Sequence, residues 1–341
     1  MKLTLKDFER VTLGVDRIED LGGKIRFHRF TEQEELFYQA RDKMFARSFR
    51  YRCKATSGVR LSFLTNSKKM KIAALVSPAT SRSYFSFDVF ENGKPIGYLD
   101  NFKDEDMKGN FTEISLSHGN FEKTFSLTEG ASEVAVYFPW SVSVDCFELE
   151  LDDEASVTPL SPSKKLLMYG DSITQGYDAI RPSNRYAALL ADRLGAEEIN
   201  KAIGGEVFVP ELAQMKVDFL PDYIAVAYGT NDWSTTDGSR FLDNAKAFLK
   251  TLSEYYPNAR IFAITPIWRA DFEEYRKFGD FCKVEKLICE AAAGLENVSV
   301  ISGFDFVERD VKLFADLRLH PRDEGFVQYY ENLSKKIGEL I

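Results

Sequence analysis

The first half of the chain alternates between apolar and polar positions. Val59, Leu61 and Phe63 are separated by Arg60 and Ser62, and Phe85, Phe87 and Val89 by Ser86 and Asp88. Val134, Val136 and Phe138 keep the same period, as do Val142 and Val144. A period of two buries one face of a strand and wets the other, as in antiparallel sheets. Asn92-Gly93 stands between two such runs and predicts a tight hairpin turn. After Cys146 the apolar phase moves to Phe147, Leu149 and Leu151, which predicts a bulge or a crossing between sheets. The segment Thr31 to Met44 breaks the alternation and reads as a short helix or a loop. Repeated short strands with turns between them predict an all-β sandwich, jelly-roll-like, over residues 1–155.

The pattern then changes. Residues 156–165, SVTPLSPSKK, are rich in proline, serine and threonine and read as a linker. Over residues 166–341 short apolar runs alternate with helical periodicity. The runs are Leu166–Tyr169, Glu198–Asn200, Tyr223–Tyr228, Ile261–Thr265 and Val298–Ser302. Between them Tyr186, Leu189, Leu190 and Leu194 share a helical face. So do Phe241, Leu242, Ala245, Phe248, Leu249 and Leu252, and then Phe278, Phe281, Cys282, Ile288 and Ala291. Residues 325–340 read as a closing helix. Strands joined by crossover helices predict a five-stranded parallel sheet covered on both faces, an α/β domain. Right-handed crossovers gather the carboxyl ends of its strands on one edge, where ligands bind.

Composition narrows the function classes. At 341 residues with 44% hydrophobic and 28% charged residues, the chain has material for two cores. A net charge of −9 argues against nucleic acid or an anionic membrane as a partner. Met1 to Arg10 mix charged and apolar residues, so no signal peptide is read, no run is long enough to span a bilayer, and the expected compartment is the cytoplasm. Cys53, Cys146, Cys282 and Cys289 have no metal-type spacing, and Cys282 and Cys289, on one predicted helix face, read as buried thiols. The histidines are His28, His118 and His320, with no HExxH pattern, so neither a metal nor another cofactor is expected. His28 lies in a strand-like run and His118 before Gly119 in a turn, and both read as structural. Pro139-Trp140 reads as a ligand-touching loop or as plain packing. The oligomeric state is not written in the sequence.

The carboxyl ends of the five runs carry the chemistry. The first gives Gly170-Asp171-Ser172, the second Asn200 to Gly205, the third Gly229-Thr230-Asn231-Asp232-Trp233 and the fourth Thr265 to Arg269; Asp316 to Pro321 follow the fifth. Alone, the serine turn reads equally as an ordinary strand-to-helix cap. Together, a serine, a glycine pair, an asparagine and a histidine on one sheet edge form an acyl-transfer set. Ser172 is the candidate nucleophile and His320 its base. The N–H groups of Ser172 and Gly205 and the Asn231 amide are candidate donors to an oxyanion. Trp233 and Trp268 follow the third and fourth strands and read as cleft walls for a sugar ring or a short acyl group, or as packing.

These four blocks resemble the SGNH, or GDSL, hydrolase superfamily over about residues 164–341. The resemblance implies a flavodoxin-like sheet in the order 2-1-3-4-5 and ester hydrolysis through an acyl-serine. A β-rich first half before such a domain resembles the family 2 carbohydrate esterases. The superfamily places an aspartate three residues before the histidine, where this chain has Leu317; Asp316 is one residue further back. Either Asp316 or a backbone carbonyl then orients His320, and the shift favours the carbonyl and a serine–histidine dyad, with Asp323 read as a helix cap. The expected substrate is an acetyl ester of a soluble carbohydrate or small metabolite, as no basic amphipathic helix or apolar lid marks a lipid enzyme. The alternatives are a lysophospholipase or thioesterase, and a carbohydrate-binding protein with an inactive hydrolase domain.

Overall fold

The alternating runs are strands. A computed structural model describes residues 1–45 and 48–341. Its first half contains β1 (Thr12–Leu13), β2 (Arg17–Asp20), β3 (Ile25–His28), β4 (Arg60–Thr65), β5 (Lys69–Pro78) and β6 (Ser86–Glu91). There follow β7 (Lys94–Asp100), β8 (Gly119–Ser126), β9 (Ser132–Tyr137), β10 (Val142–Leu151) and β11 (Thr158–Pro159). One antiparallel sheet runs β1-β4-β9-β6-β7, with β11 added to β4, and the other runs β2-β3-β10-β5-β8. Inward residues of both sheets, among them Leu61, Phe63, Val89, Val134 and Val136 on one and Ile72, Val76, Phe147 and Leu149 on the other, form one buried cluster. Phe138 touches Phe147, Phe27 and Phe87 there, with ring centroids 4.8, 5.0 and 5.1 Å away. This is a sandwich, built as period-two burial requires.

Local turn chemistry places the strands. Asn92 and Gly93 both take left-handed φ, 50° and 74°, the requirement of a two-residue hairpin turn, and they join β6 to β7. The phase change at Cys146 is a bulge. The β10–β5 register shifts between Val144 and Cys146, so Asp145 is the extra residue. Thr31 to Met44 falls on a helix, Glu32–Phe45, opened by Thr31 and Glu34, each bonding the other's backbone N–H. His28 is held by Glu35 at 3.0 Å and by Arg17, and burial lowers the pKa of His118. The stretch read as a linker is partly strand: Thr158 and Pro159 pair with Leu64 and Phe63, and Leu160 N–H donates to Ser62. The sheet therefore continues past residue 155.

The chain divides into two compact units. The first is Met1–Pro162 with two later stretches, Ile180–Ser183 and Glu197–Ile199; the second is Ser163–Ala179, Asn184–Ala196 and Asn200–Ile341. Within the first, Ser183 donates to Asp88 from its N–H (3.0 Å) and hydroxyl (2.7 Å). Arg181 donates to Asp100 at 2.6 Å and lies 3.6 Å over the Tyr98 ring.

The second pattern folds as the α/β sheet. Its strands are β12 (Lys164–Gly170), β13 (Ala196–Asn200), β14 (Tyr223–Ala227), β15 (Arg260–Ile264) and β16 (Val298–Ile301), in the order β13-β12-β14-β15-β16. That is the 2-1-3-4-5 order, with parallel pairing from β12 through β16. The helix Gly238–Tyr255 buries Phe241, Ala245, Phe248, Leu249 and Leu252. The helix Cys282–Ala292 corrects the reading of its face: Val284, Ile288, Ala291 and Ala292 are buried, while Cys282 and Cys289 are exposed. Periodicity fixed the helix, but two thiols seven apart were assigned to the wrong side of it. Among the described residues no helix is long and apolar enough to cross a membrane.

Candidate active site

The buried strand β12 ends at Gly170, where a Cβ would stand 2.3 Å from the Thr174 hydroxyl and 3.1 Å from the Ala227 carbonyl. Only glycine admits so close a turn. Asp171 then caps the short helix Ser172–Gln175, accepting from Ile173 N–H at 2.9 Å. Ser172 is the first residue of that helix. Its Oγ lies 2.8 Å from Nε2 of His320, so residues 148 apart in sequence meet as nucleophile and base. Gly176 ends the helix in the left-handed region, φ 108°, its N–H bonding the carbonyls of Ser172 and Ile173.

His320 stands on a turn closed by Ala315 N–H donating to the His320 carbonyl and by Arg322 N–H donating to Leu313. The aspartate within it does two things. Oδ1 of Asp316 accepts the N–H groups of Arg318 (3.0 Å), Leu319 (2.7 Å) and His320 (3.1 Å). Oδ2 meets Nδ1 of His320 at 2.8 Å. The expected dyad is therefore corrected: a carboxylate stands at Nδ1. Leu317, in the left-handed region at φ 56° and 47% exposed, takes up the extra residue as a turn, so the one-residue shift does not reverse the side chain as it would on a strand. Burial alone would raise the Asp316 carboxyl, but the bond and charge of His320 and the N–H groups of Leu319 and His320 outweigh it and hold it well below the ordinary carboxylate range. Asp323, the other sequence candidate, begins the helix Asp323–Gly338 and accepts from Asn184 at 2.8 Å.

The loop after β13 and the Asn231 amide are each tied to their neighbours. Gly204 N–H donates to the Gln175 side chain at 2.8 Å, which ties the loop after β13 to the serine helix. Gly205 follows in the left-handed region, φ 84°. Asn231 donates from Nδ2 to the Glu206 carbonyl at 3.0 Å, which fixes its amide beside that loop.

Residues 168–326 match the model of the GDSL-like lipase/acylhydrolase family. The second unit carries a GDSL-like hydrolase domain. That domain is of the SGNH serine hydrolase type. No curated protein matches its sequence significantly. Among solved structures it is similar to the salicylyl-acyltransferase SsfX3 from a tetracycline biosynthetic pathway, 19% identical over 100% of this chain and 97% of that one, with TM-score 0.81. It is also similar to a family 2 carbohydrate esterase from Cellvibrio japonicus, 16% identical over 100% and 97%, TM-score 0.65. A family 2 carbohydrate esterase from Clostridium thermocellum, solved with cellohexaose, is 18% identical over 84% and 93%, TM-score 0.60. At these identities the likeness is one of fold.

In the hydrolase domain two further carboxyl groups lie behind the serine turn. Burial, eased by the Ile173 N–H and the charges of His320 and Arg269, raises Asp171 to about 6. Burial, helped by the charges of Asp171 and Glu206, raises Asp232 to about 8 against the pull of the Phe208 N–H. Its Oδ1 accepts from that N–H at 3.2 Å, and its Oδ2 has no partner among the described residues.

For the tryptophans, burial favours packing over the cleft-wall reading. Trp233 is 1% exposed, donates to the Gly279 carbonyl and packs on Phe281, so it belongs to the core and walls no open cleft. Trp268 is 7% exposed and packs on Phe314 and Phe272. Sequence reasoning also missed Asp178. It is fully buried, with a carboxylate oxygen 3.6 Å from His320 Nδ1, and a separation of 142 positions along the chain left no local pattern to announce it.

Proposed function

We propose that the chain is a serine esterase that hydrolyses short acyl esters, acetyl above all, carried on carbohydrate. The observation that carries the reading is the unbroken relay from Ser172 Oγ through His320 to Asp316, at 2.8 Å on each side of the ring. Ser172 Oγ attacks the ester carbonyl carbon as His320 Nε2 takes its proton. The carbonyl oxygen gains the electron pair and is held by the N–H groups of Ser172 and Gly205 and by the second N–H of the Asn231 amide. The intermediate collapses, the bond to the alcohol breaks, and His320 returns the proton to the departing oxygen. Water, deprotonated by His320, then frees the acid from the acyl-serine. Asp316 keeps Nδ1 protonated and the imidazolium stable, and does not itself take the proton.

The likeness to carbohydrate esterases supports an ester carried on a sugar. A second reading follows from the likeness to the acyltransferase: the same acyl-serine passes its acyl group to an alcohol instead of water. An acetate-release screen over acetylated mono- and oligosaccharides, beside a chain-length series of nitrophenyl esters, tests the first. An acetyl optimum that disappears in Ser172→Ala supports it, and a long-chain optimum sinks it. Ester products formed in the presence of a sugar acceptor, in excess of free acetate, would favour transfer.

A further inference from the structure

The ring of His320 is surrounded more closely than a three-residue relay requires. Ser172 meets Nε2 and Asp316 meets Nδ1. The Tyr177 ring lies along one face of the imidazole, centroids 5.6 Å apart and planes 31° apart. Asp178 brings a second carboxylate oxygen to 3.6 Å from Nδ1. Among the described residues, Asp178, Asp316 and His320 form the one group of acidic, histidine or cysteine side chains whose polar atoms all fall within 4.8 Å of one another. Asp171, the cap of the serine helix, adds its charge from behind.

The two carboxylates at Nδ1 are held differently. Asp316 sits on a turn, its side chain 15% exposed, with Oδ1 committed to three backbone N–H groups. Asp178 is 0% exposed and belongs to the segment that also carries the nucleophile. Backbone hydrogen bonds tie that segment together. Tyr177 N–H bonds the Ser172 carbonyl at 2.9 Å, and Ala179 N–H bonds Gly176 at 3.1 Å. Asp178 itself takes φ 73°, a left-handed conformation uncommon for a residue with a side chain and found at functional sites. Gly204 completes the clamp, since a Cβ there would stand 2.8 Å from the Tyr177 ring.

We propose that Asp178 is a positioning residue for His320, a second carboxylate that shares with Asp316 the stabilisation of the imidazolium formed when Ser172 gives up its proton. At 3.6 Å it is too far for a strong hydrogen bond and acts through its charge, which buried surroundings screen weakly. It is also the acceptor in reserve when Asp316 is lost. The proton still passes only between Ser172 Oγ and His320 Nε2, and Nδ1 keeps its own. The inference rests on Ser172 and His320 working as proposed above, but not on the identity of the ester.

The test is the rate at which a fluorophosphonate labels Ser172, measured across pH in wild type, Asp316→Asn, Asp178→Asn and the double variant. Asp178→Asn is expected to label about tenfold more slowly. The acid limb of its profile should move to lower pH by about one unit, because a lost negative charge makes the imidazolium easier to deprotonate. Asp316→Asn should stay within about 10²-fold of wild type, and the double variant should lose more than the product of the singles. An acid limb unmoved in Asp178→Asn, or a loss above about 10³-fold in Asp316→Asn alone, overturns the proposal. Should Asp178→Asn not fold, the low-field Nδ1 proton resonance of His320 in Asp316→Asn decides: it persists if Asp178 accepts it and vanishes otherwise. Wild type that does not label at all would sink the proposed esterase while leaving that resonance to judge Asp178.

Discussion

Asp316, Asp171 and Asp232 are the same side chain in three environments. Burial acts on each, and only Asp316 has enough opposing cation and N–H donors to be pulled down; Asp171 rises to about 6 and Asp232 to about 8. The sign for stability follows. Asp316, depressed when folded, contributes above the ordinary carboxyl value, and that contribution is lost as pH falls through its folded value. Asp232 is raised, so between its ordinary 3.8 and about 8 the folded chain keeps a proton that the unfolded chain has released, and stability falls as pH rises through that window. Asp232→Asn should flatten the decline in urea midpoint between about pH 5 and 8. Equal declines in variant and wild type would place the titration elsewhere. Asn231→Ala should lower kcat by roughly 10²–10³ with little change in KM, if its amide meets charge that exists only in the transition state. A change confined to KM would make Asn231 a ground-state contact.

At the scale of elements, the site is two loops held against one short helix. The serine helix Ser172–Gln175 is fixed by Gly170 and Asp171, the β13 loop is tied to it through Gln175, and the His320 turn is built on Asp316. Gly204 joins two of these, since its missing side chain leaves room for the Tyr177 ring that faces His320. Gly204→Ala should displace that ring and cost about tenfold or more in kcat/KM, with a destabilisation of about 1–3 kcal/mol. Retained activity together with an unchanged melting temperature would show that the ring can give way. The turn was the element hardest to read. Counting back from His320 placed Leu317 where a carboxylate was wanted, and strand geometry suggested a reversed side chain. An aspartate opening a tight turn bonds the backbone N–H groups two and three residues on. Read that way, Asp316-Leu317-Arg318 would have put the carboxylate beside the ring.

At the scale of the molecule, the first unit includes two stretches from the second half of the sequence, Ile180–Ser183 and Glu197–Ile199. Asp88 and Asp100 bind Ser183 and Arg181, which lie beyond the serine helix in the chain. We propose that the two units are interdependent in folding. A chain beginning at Ser163 leaves Arg181 and Ser183 without those carboxylates and should be poorly soluble, or lose most esterase activity. Sedimentation and acetyl-ester turnover of the truncated chain check this, and a stable, fully active fragment would contradict it.

The sequence by itself determined the two architectures, because burial period is a local property: period two gave the sandwich strands, and apolar runs joined by helical periodicity gave the five-stranded parallel sheet, whose 2-1-3-4-5 order was implied by the family resemblance alone. It also determined which strand ends carry Ser172, Gly205, Asn231 and His320, since parallel strands with right-handed crossovers present their carboxyl ends on one edge. Tertiary structure decided what depends on distant neighbours. Trp233 went into the core, where Gly279 and Phe281 receive it. Cys282 turned outward as Val284 turned in. Asp178 reached His320 across 142 residues, and Asp171 and Asp232 acquired their raised pKa values from burial. A side chain's charge, exposure and partners are set by whatever folds against it, and no window of adjacent residues contains that.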